Sequence, residues 1–231
     1  MAEDIRPIRA AATLLMLRDT EGGVEVLTVK RSAQMRAFPD HLAFPGGVVE
    51  HQDHVCAQLC GVGRVRAAEH ADDAAFAVAA LRETAEEIGW LGGLAHTGDA
   101  SNYTMVPPNW QTAMLRDKDA FLHEVSARHW RFDLACLRFV GRWLTPLEVQ
   151  IPTRFDTRFF VMVGHVDECQ LRVHSGELAW ARWCKPQTLL AGIAANQFKA
   201  ARPTRAMLEE LSHASDVAWC MAQLSVPADT V

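Results

Sequence analysis

Apolar and polar positions change period several times along the chain, and each change marks an element. Residues 10–18 and 24–31 are aliphatic, β-prone runs around Asp19-Thr20-Glu21-Gly22-Gly23, so they predict a β-hairpin. Leu42-Ala43-Phe44 predicts a short strand stopped by Pro45-Gly46-Gly47. From there to about Asp72, His, Asp and Cys accumulate without a clean period. Residues 73–88 then switch to helical spacing through Phe76, Ala79, Ala80, Glu83 and Glu87, and Gly89 supplies the stop. Residues 110–139 predict one or two helices around Phe121 and Val125. Segments 142–144, 157–166 and 177–183 predict strands, and 186–191 a helix. Residues 204–224 predict a long final helix entered through Pro203, with Thr204 as its cap. Strands interleave with helices and nothing repeats. The class is mixed α/β, one domain over residues 1–231 with insertions near 52–72 and 101–140.

Composition narrows the function classes. A chain of 231 residues that is 49% hydrophobic and 22% charged can bury a core, which excludes disorder. The net charge of −5 gives no general attraction to nucleic acid or to an acidic membrane. Residues 1–6 mix charges and lack an apolar signal core, and the run 10–17 is far short of the roughly 20 residues of a membrane span. Cysteines 56, 60, 136, 169, 184 and 220 form no disulfide framework, so reduced thiols in a cytoplasm are the simpler expectation. The end, Asp229-Thr230-Val231, is not a peroxisomal address.

The chemistry concentrates in Arg82-Glu83-Thr84-Ala85-Glu86-Glu87-Ile88-Gly89-Trp90. Glu83, Glu86 and Glu87 stand at i, i+3 and i+4 and share one helical face, where like charges cost roughly 0.2–0.5 kcal/mol per pair. A divalent cation reverses that sign, and hard oxygen ligands select Mg²⁺ or Mn²⁺. The plain alternative is a solvated acidic face with Arg82 as its partner. His51, His54, Cys56 and Cys60, with His70 nearby, are a weaker zinc candidate whose spacing matches no standard finger.

With Phe44-Pro45-Gly46-Gly47 upstream, this segment resembles the signature of the Nudix hydrolases, G-x5-E-x7-R-E-U-x-E-E-x-G-U, where U is a bulky apolar residue. Gly47 supplies its glycine, and Arg82, Glu83, Glu86, Glu87 and Gly89 its second half. The middle departs from the pattern. Counting from Gly47, the first acidic position falls on Asp53; counting back from Arg82, it falls on Ala74 beside Asp73; about 21 extra residues interrupt the box.

The segment before the glycines resembles the motif of coenzyme A-cleaving Nudix enzymes, L-L-T-x-T-R-[SA]-x3-R-x3-G-x3-F-P-G-G. Leu27, Thr28, Arg31, Ser32, Arg36 and Phe44 through Gly47 are in register, whereas Val26, Lys30 and Asp40 depart. Trp143-Leu144-Thr145-Pro146, the run from Arg154 to Phe160 (RFDTRFF) and the run from Glu177 to Trp183 (ELAWARW) are similar to a Nudix subgroup with a split box and a helical insertion. Its animal members are organellar coenzyme A diphosphatases.

The resemblance implies an α/β/α sandwich with a mixed sheet, and hydrolysis of the diphosphate of coenzyme A or an acyl-coenzyme A. Products would be 4′-phosphopantetheine species and adenosine 3′,5′-bisphosphate. It implies Mg²⁺ or Mn²⁺ on Glu83, Glu86, Glu87 and the Gly47 carbonyl, with Arg82 orienting the glutamates and a general base among Glu86, Glu83 and Glu177. Lys30, Arg31, Arg36, Phe44 and Gly46 are the substrate-binding candidates, since arginine forks match phosphate oxygens. The partner would be a small nucleoside-diphosphate-linked substrate; independently, the apolar face of residues 204–224 offers cover either for the domain itself or for a second copy in a homodimer. Two rivals stand beside this reading: a diphosphatase for ADP-ribose, dinucleotides or nucleotide sugars, and a non-catalytic module that binds a nucleotide metabolite.

Overall fold

The computed structural model describes residues 6–95, 102–174 and 176–227. Residues 1–5 and 228–231, part of the targeting argument, lie outside them. Eight strands form the main sheet: β1 (Ile8–Thr20), β2 (Gly23–Arg31), β3 (His41–Ala43), β4 (Gly46–Val48), β5 (Arg138–Leu144), β6 (Arg154–Val163), β7 (Leu178–Cys184) and β8 (Lys199–Ala200). The principal path runs β8-β3-β2-β1-β6-β5, with β7 on the far side of β2 and β4 beside β1. β1 pairs with β6 in parallel and with β2 and β4 antiparallel, so the sheet is mixed. β1 and β2 are hydrogen-bonded only near the hairpin turn, from Leu17↔Val26 to Thr20↔Gly23. Where they part, β4 lies against β1 and β3 against β2, which wedges the glycine loop into the sheet.

Alternation along the strands feeds two cores. Ala12, Leu14, Met16, Leu27 and Val29 face one cluster, packed by α1 (His51–Cys60), α2 (Asp73–Ile88), α3 (Pro108–Met114) and α4 (Ala120–Ala127). Leu15, Leu17, Val24, Val26 and Val161 face the other, packed by α5 (Pro186–Ala194), α6 (Arg202–Ser212) and α7 (Val217–Gln223). This is the α/β/α sandwich. Among the described residues no helix is long and apolar enough to cross a membrane.

Two segments differ from expectation. Residues 51–60, which show no clean period, form α1, because its buried face is small and polar: Gln52, Asp53, Cys56 and Cys60. The stretch predicted as one helix over 204–224 is broken at His213–Asp216 into α6 and α7. Asp216 caps the second piece, its Oδ1 accepting the Trp219 N–H at 2.6 Å. Thr204 is not a cap; Ala201 occupies the N-cap of α6, and Pro203 lies in its first turn. The 3.6-residue apolar period continues across the break, which hides it from the pattern alone.

Candidate active site

Helix α2 is held at both ends. At its start the Asp73 Oδ2 accepts the N–H groups of Glu69 and His70, both at 2.8 Å. Arg158 reaches across from β6 to Asp72 and Asp73 at 2.8 and 2.7 Å while lying over the Phe76 ring. At its end Gly89 adopts φ +70° and closes the helix onto the Ala85 carbonyl, a left-handed conformation that suits glycine. The backbone N–H groups of Arg172 and His174 donate to the Ile88 and Glu87 carbonyls, and Gln111 Nε2 donates to the Glu86 carbonyl at 2.9 Å. The helix that carries the glutamates is therefore fixed in register.

The glycine loop fits against it. A Cβ at Gly47 would land on the Glu83 carboxyl group, and one at Gly46 would collide with the Ala12 carbonyl oxygen. Only glycine lets β4 approach both β1 and the helix so closely. The Gly46 N–H donates to Glu87 Oε2 at 3.2 Å.

Arg82 is the node. Its Nε lies 2.9 Å from Asp53 Oδ1, its Nη1 3.0 Å from Glu83 Oε1 and 2.9 Å from Glu86 Oε1, and its Nη2 donates to the Val48 carbonyl at 2.8 Å. The Arg82 and Asp53 side chains are only 3% and 0% exposed. One guanidinium thus ties α1, β4 and two of the three glutamates together. Of the two acids flanking the interruption, Asp53 pairs with Arg82, whereas Asp73 is engaged by Arg158.

The electrostatics leave a deficit of positive charge. Burial pushes the Glu83 carboxyl from its ordinary 4.5 up to about 8, with repulsion from Glu86 and Asp53 adding to the rise and Arg82 opposing it. Burial also raises Glu86 against the pull of Arg82. Glu87 rises well above its ordinary value through burial and then repulsion from Glu83 and Glu177, opposed by Arg31 and the Gly46 N–H. Among the described residues no three acidic, imidazole or thiol groups converge as a closed metal cage. What they offer is buried carboxylates on one side of an open loop, which suits a hard cation completed by water and substrate oxygens.

Glu83 binds a proton more tightly folded than unfolded, so its contribution to metal-free stability is complete below about pH 4.5 and is lost as pH rises through about 8. A cation must displace that proton, so Mg²⁺ should raise the melting temperature more at about pH 8.5 than at about pH 6. Calorimetry with and without Mg²⁺ at the two pH values checks this; an equal shift at both would contradict it.

Beside the glycine loop lies a cleft of about 530 Å³. Leu42, Phe44 and Trp143 line it from the second core, and Arg31, Gly46 and Gly47 mark its end nearest the glutamates. The predicted cations separate here. Arg31 reaches the cleft, its Nε donating to the Ala37 carbonyl at 3.1 Å, and its charge bears on Glu87. Lys30, its neighbour on β2, points to the opposite face and pairs with Asp40 at 3.3 Å. Arg36 is exposed and does not line the cleft. Glu177 sits in the turn before β7, where the Ser32 N–H donates to its carbonyl and its carboxylate repels Glu87.

The NUDIX domain family matches residues 7–132, more than half of the chain. A crystal structure of a NUDIX hydrolase from Alicyclobacillus acidocaldarius is similar over 96% of this chain and 99% of that one, with 40% identity and a TM-score of 0.89. This chain belongs to the Nudix family. Nudix hydrolase 7 of Caenorhabditis elegans is 25% identical over 220 residues, which are 92% of this chain and 63% of that protein. A nudix hydrolase of Schizosaccharomyces pombe is 34% identical over 86 residues, 37% of this chain and 23% of that protein. The chain thus spans less than two thirds of either curated relative.

The interruption of the box follows Asp53, the acid that pairs with Arg82. The interruption is not a plain surface loop: Cys56, Cys60 and Val65 are buried in the first core, and Arg66 exchanges backbone hydrogen bonds with Leu137 and Phe139. The zinc alternative loses its geometry, since His51 and His54 face solvent while Cys56 and Cys60 face the core. In the RFDTRFF segment, Arg142 Nη2 lies 2.6 Å from Asp156, Arg154 Nε donates to the Thr145 carbonyl, and Arg158 holds the start of α2. Gln111 and the Val48 carbonyl carried no sequence signal, because each acts through a polar contact between residues distant in sequence.

Proposed function

We propose that this Nudix chain hydrolyses the diphosphate of coenzyme A or an acyl-coenzyme A to 4′-phosphopantetheine species and adenosine 3′,5′-bisphosphate. The observation that carries the reading is the meeting of Arg31, Phe44, Gly46 and Gly47, motif residues in register, at one cleft beside the carboxylate helix. The motif departures at 30 and 40 lose their weight for a rival substrate, because Lys30 and Asp40 neutralise each other away from that cleft. Asp40 also adopts φ +61°, the conformation for which the motif's glycine is suited.

Glu83, Glu86, Glu87 and the Gly47 carbonyl would hold Mg²⁺ or Mn²⁺. When bound, the cation offsets the charge of the diphosphate and acidifies a water. Arg82 bridges Glu83 and Glu86 through one nitrogen and holds both in place. Arg31 binds a diphosphate oxygen. In the reaction a water oxygen bonds to phosphorus, the bridging P–O bond breaks, and a carboxylate among Glu83, Glu86 and Glu177 takes the water's proton.

Kinetics of two arginine variants test the reading. A charge-assisted hydrogen bond contributes roughly 1.5–3 kcal/mol, so Arg31→Ala should lower kcat/KM for coenzyme A by about tenfold to a hundredfold. Arg36→Ala, on the exposed loop, should change it less than about threefold. The reverse ranking would place the substrate elsewhere.

A further inference from the structure

The cleft beside the glycine loop has a lining that the diphosphate chemistry leaves unused. Phe38, Leu42 and Phe44 line it from the β3 side, and Pro146, Val149 and Phe155 from the side of β5 and β6. Among the described residues the lining holds no carboxylate and no amide side chain. Adenine is commonly read by Asn or Gln, which pair with its amine and ring nitrogen together. Walls of the present kind gain instead from an aliphatic chain, because burial of apolar surface needs no directional partner. Threonine hydroxyls at positions 13, 145 and 157 both donate and accept, which suits isolated amides along such a chain. Gly46 and Gly47 belong to the same lining, so a chain in the cleft has its start beside the glutamates.

The outer part of one wall is the loop 145–153, between β5 and β6. None of its residues is buried, and Leu147 is 54% exposed, so the core does not fix its position. Hydrogen bonds do. At its base the Thr145 N–H donates to the Phe155 carbonyl at 2.8 Å, and the Phe155 N–H donates to Thr145 Oγ1 at 3.0 Å. Farther out, one guanidinium holds three alternate carbonyls. Arg6 Nη1 donates to those of Val149 and Ile151 at 2.5 and 3.2 Å, and its Nη2 donates to that of Leu147 at 2.7 Å. Bonds from a charged donor are the stronger kind, and these come from at least 141 positions earlier in the chain. Val149, which faces the cleft, is thus placed by Arg6 and not by packing.

We propose that the cleft receives an uncharged, aliphatic arm of the substrate, and that Arg6 is the positioning residue that sets the wall for it. Identifying that arm as pantetheine rests on the coenzyme A reading, whereas the preference for an aliphatic chain is tested without coenzyme A. A nucleoside then lies outside this cleft, on the other side of the diphosphate.

Titration calorimetry of the full chain with Mg²⁺ and methyl, butyl or hexyl diphosphate, or ADP, tests the proposal. Affinity should rise about twofold to fourfold for each methylene that enters the cleft, so butyl should exceed methyl by about tenfold or more. ADP should bind more weakly than hexyl diphosphate. Arg6→Gln should remove most of the gain from methyl to hexyl and leave methyl diphosphate within about twofold of the wild type. A general loss of structure would not spare the short chain in this way. Val149→Ser, on the half-buried loop, should reduce the same gain with Arg6 in place, and it carries the test if Arg6→Gln does not fold. Equal affinity for methyl and hexyl diphosphate, or tighter binding of ADP than of hexyl diphosphate, overturns the assignment of the arm. A full gain in folded Arg6→Gln, or in Val149→Ser, overturns the role of the loop. If the gain holds while the wild type leaves coenzyme A intact, the substrate reading has failed and the cleft assignment has not.

Discussion

Replacing Glu83 or Glu87 by Gln should lower hydrolysis by about three orders of magnitude or more while the far-ultraviolet spectrum stays that of the wild type. Glutamine keeps the shape and removes the charge that would hold a cation, and a cation stabilises the developing charge by several kcal/mol, with each 1.36 kcal/mol equal to tenfold in rate. The fold should persist because neither carboxylate anchors the helix. Glu83 shares Arg82 with two other acids, and among the described residues Glu87 receives only the Gly46 N–H at 3.2 Å. Each variant also removes a buried, repelled carboxylate, so metal-free stability should be unchanged or higher, while the stabilisation by Mg²⁺ shrinks. Steady-state rates and melting curves with and without Mg²⁺ check both halves. Full turnover by either variant removes that glutamate from the mechanism.

The second large effect is structural. Arg82→Ala leaves Asp53, Glu83 and Glu86 without their shared cation in a nearly inaccessible place. Breaking a buried pair from one side costs roughly 3–5 kcal/mol, and for a chain of this size that lowers Tm by about 10 °C. Asp53→Asn should cost less, because Arg82 keeps two other carboxylates. Adding Asp53→Asn to Arg82→Ala should recover part of the loss, since it removes one of the stranded charges. A double mutant that falls by the sum of the two singles would contradict the coupling.

What could be read from the sequence was local. Three glutamates at i, i+3 and i+4 with Gly89 behind them define a face and an end without help from the rest of the chain, and the hairpin around Gly22-Gly23 is equally self-contained. Helix α1 was illegible for the opposite reason. Its inward face is Gln52, Asp53, Cys56 and Cys60, and what makes Asp53 an inward residue is Arg82, 29 positions away. The separation of Lys30 from Arg31 was in principle legible, because adjacent strand residues face opposite sides of a sheet. Pairing of Lys30 with Asp40 depends on how the 32–40 loop returns, which no local pattern encodes.

On the proposed function, the carboxylate helix and its cleft cleave the diphosphate of coenzyme A. The most direct measurement is product identification by mass spectrometry after incubating the wild-type chain with coenzyme A, ADP-ribose or NADH and Mg²⁺ or Mn²⁺. Coenzyme A should yield 4′-phosphopantetheine and adenosine 3′,5′-bisphosphate, at a kcat/KM above that for the other two. Conversion of ADP-ribose or NADH with coenzyme A left intact would contradict it, as would binding of all three with none consumed.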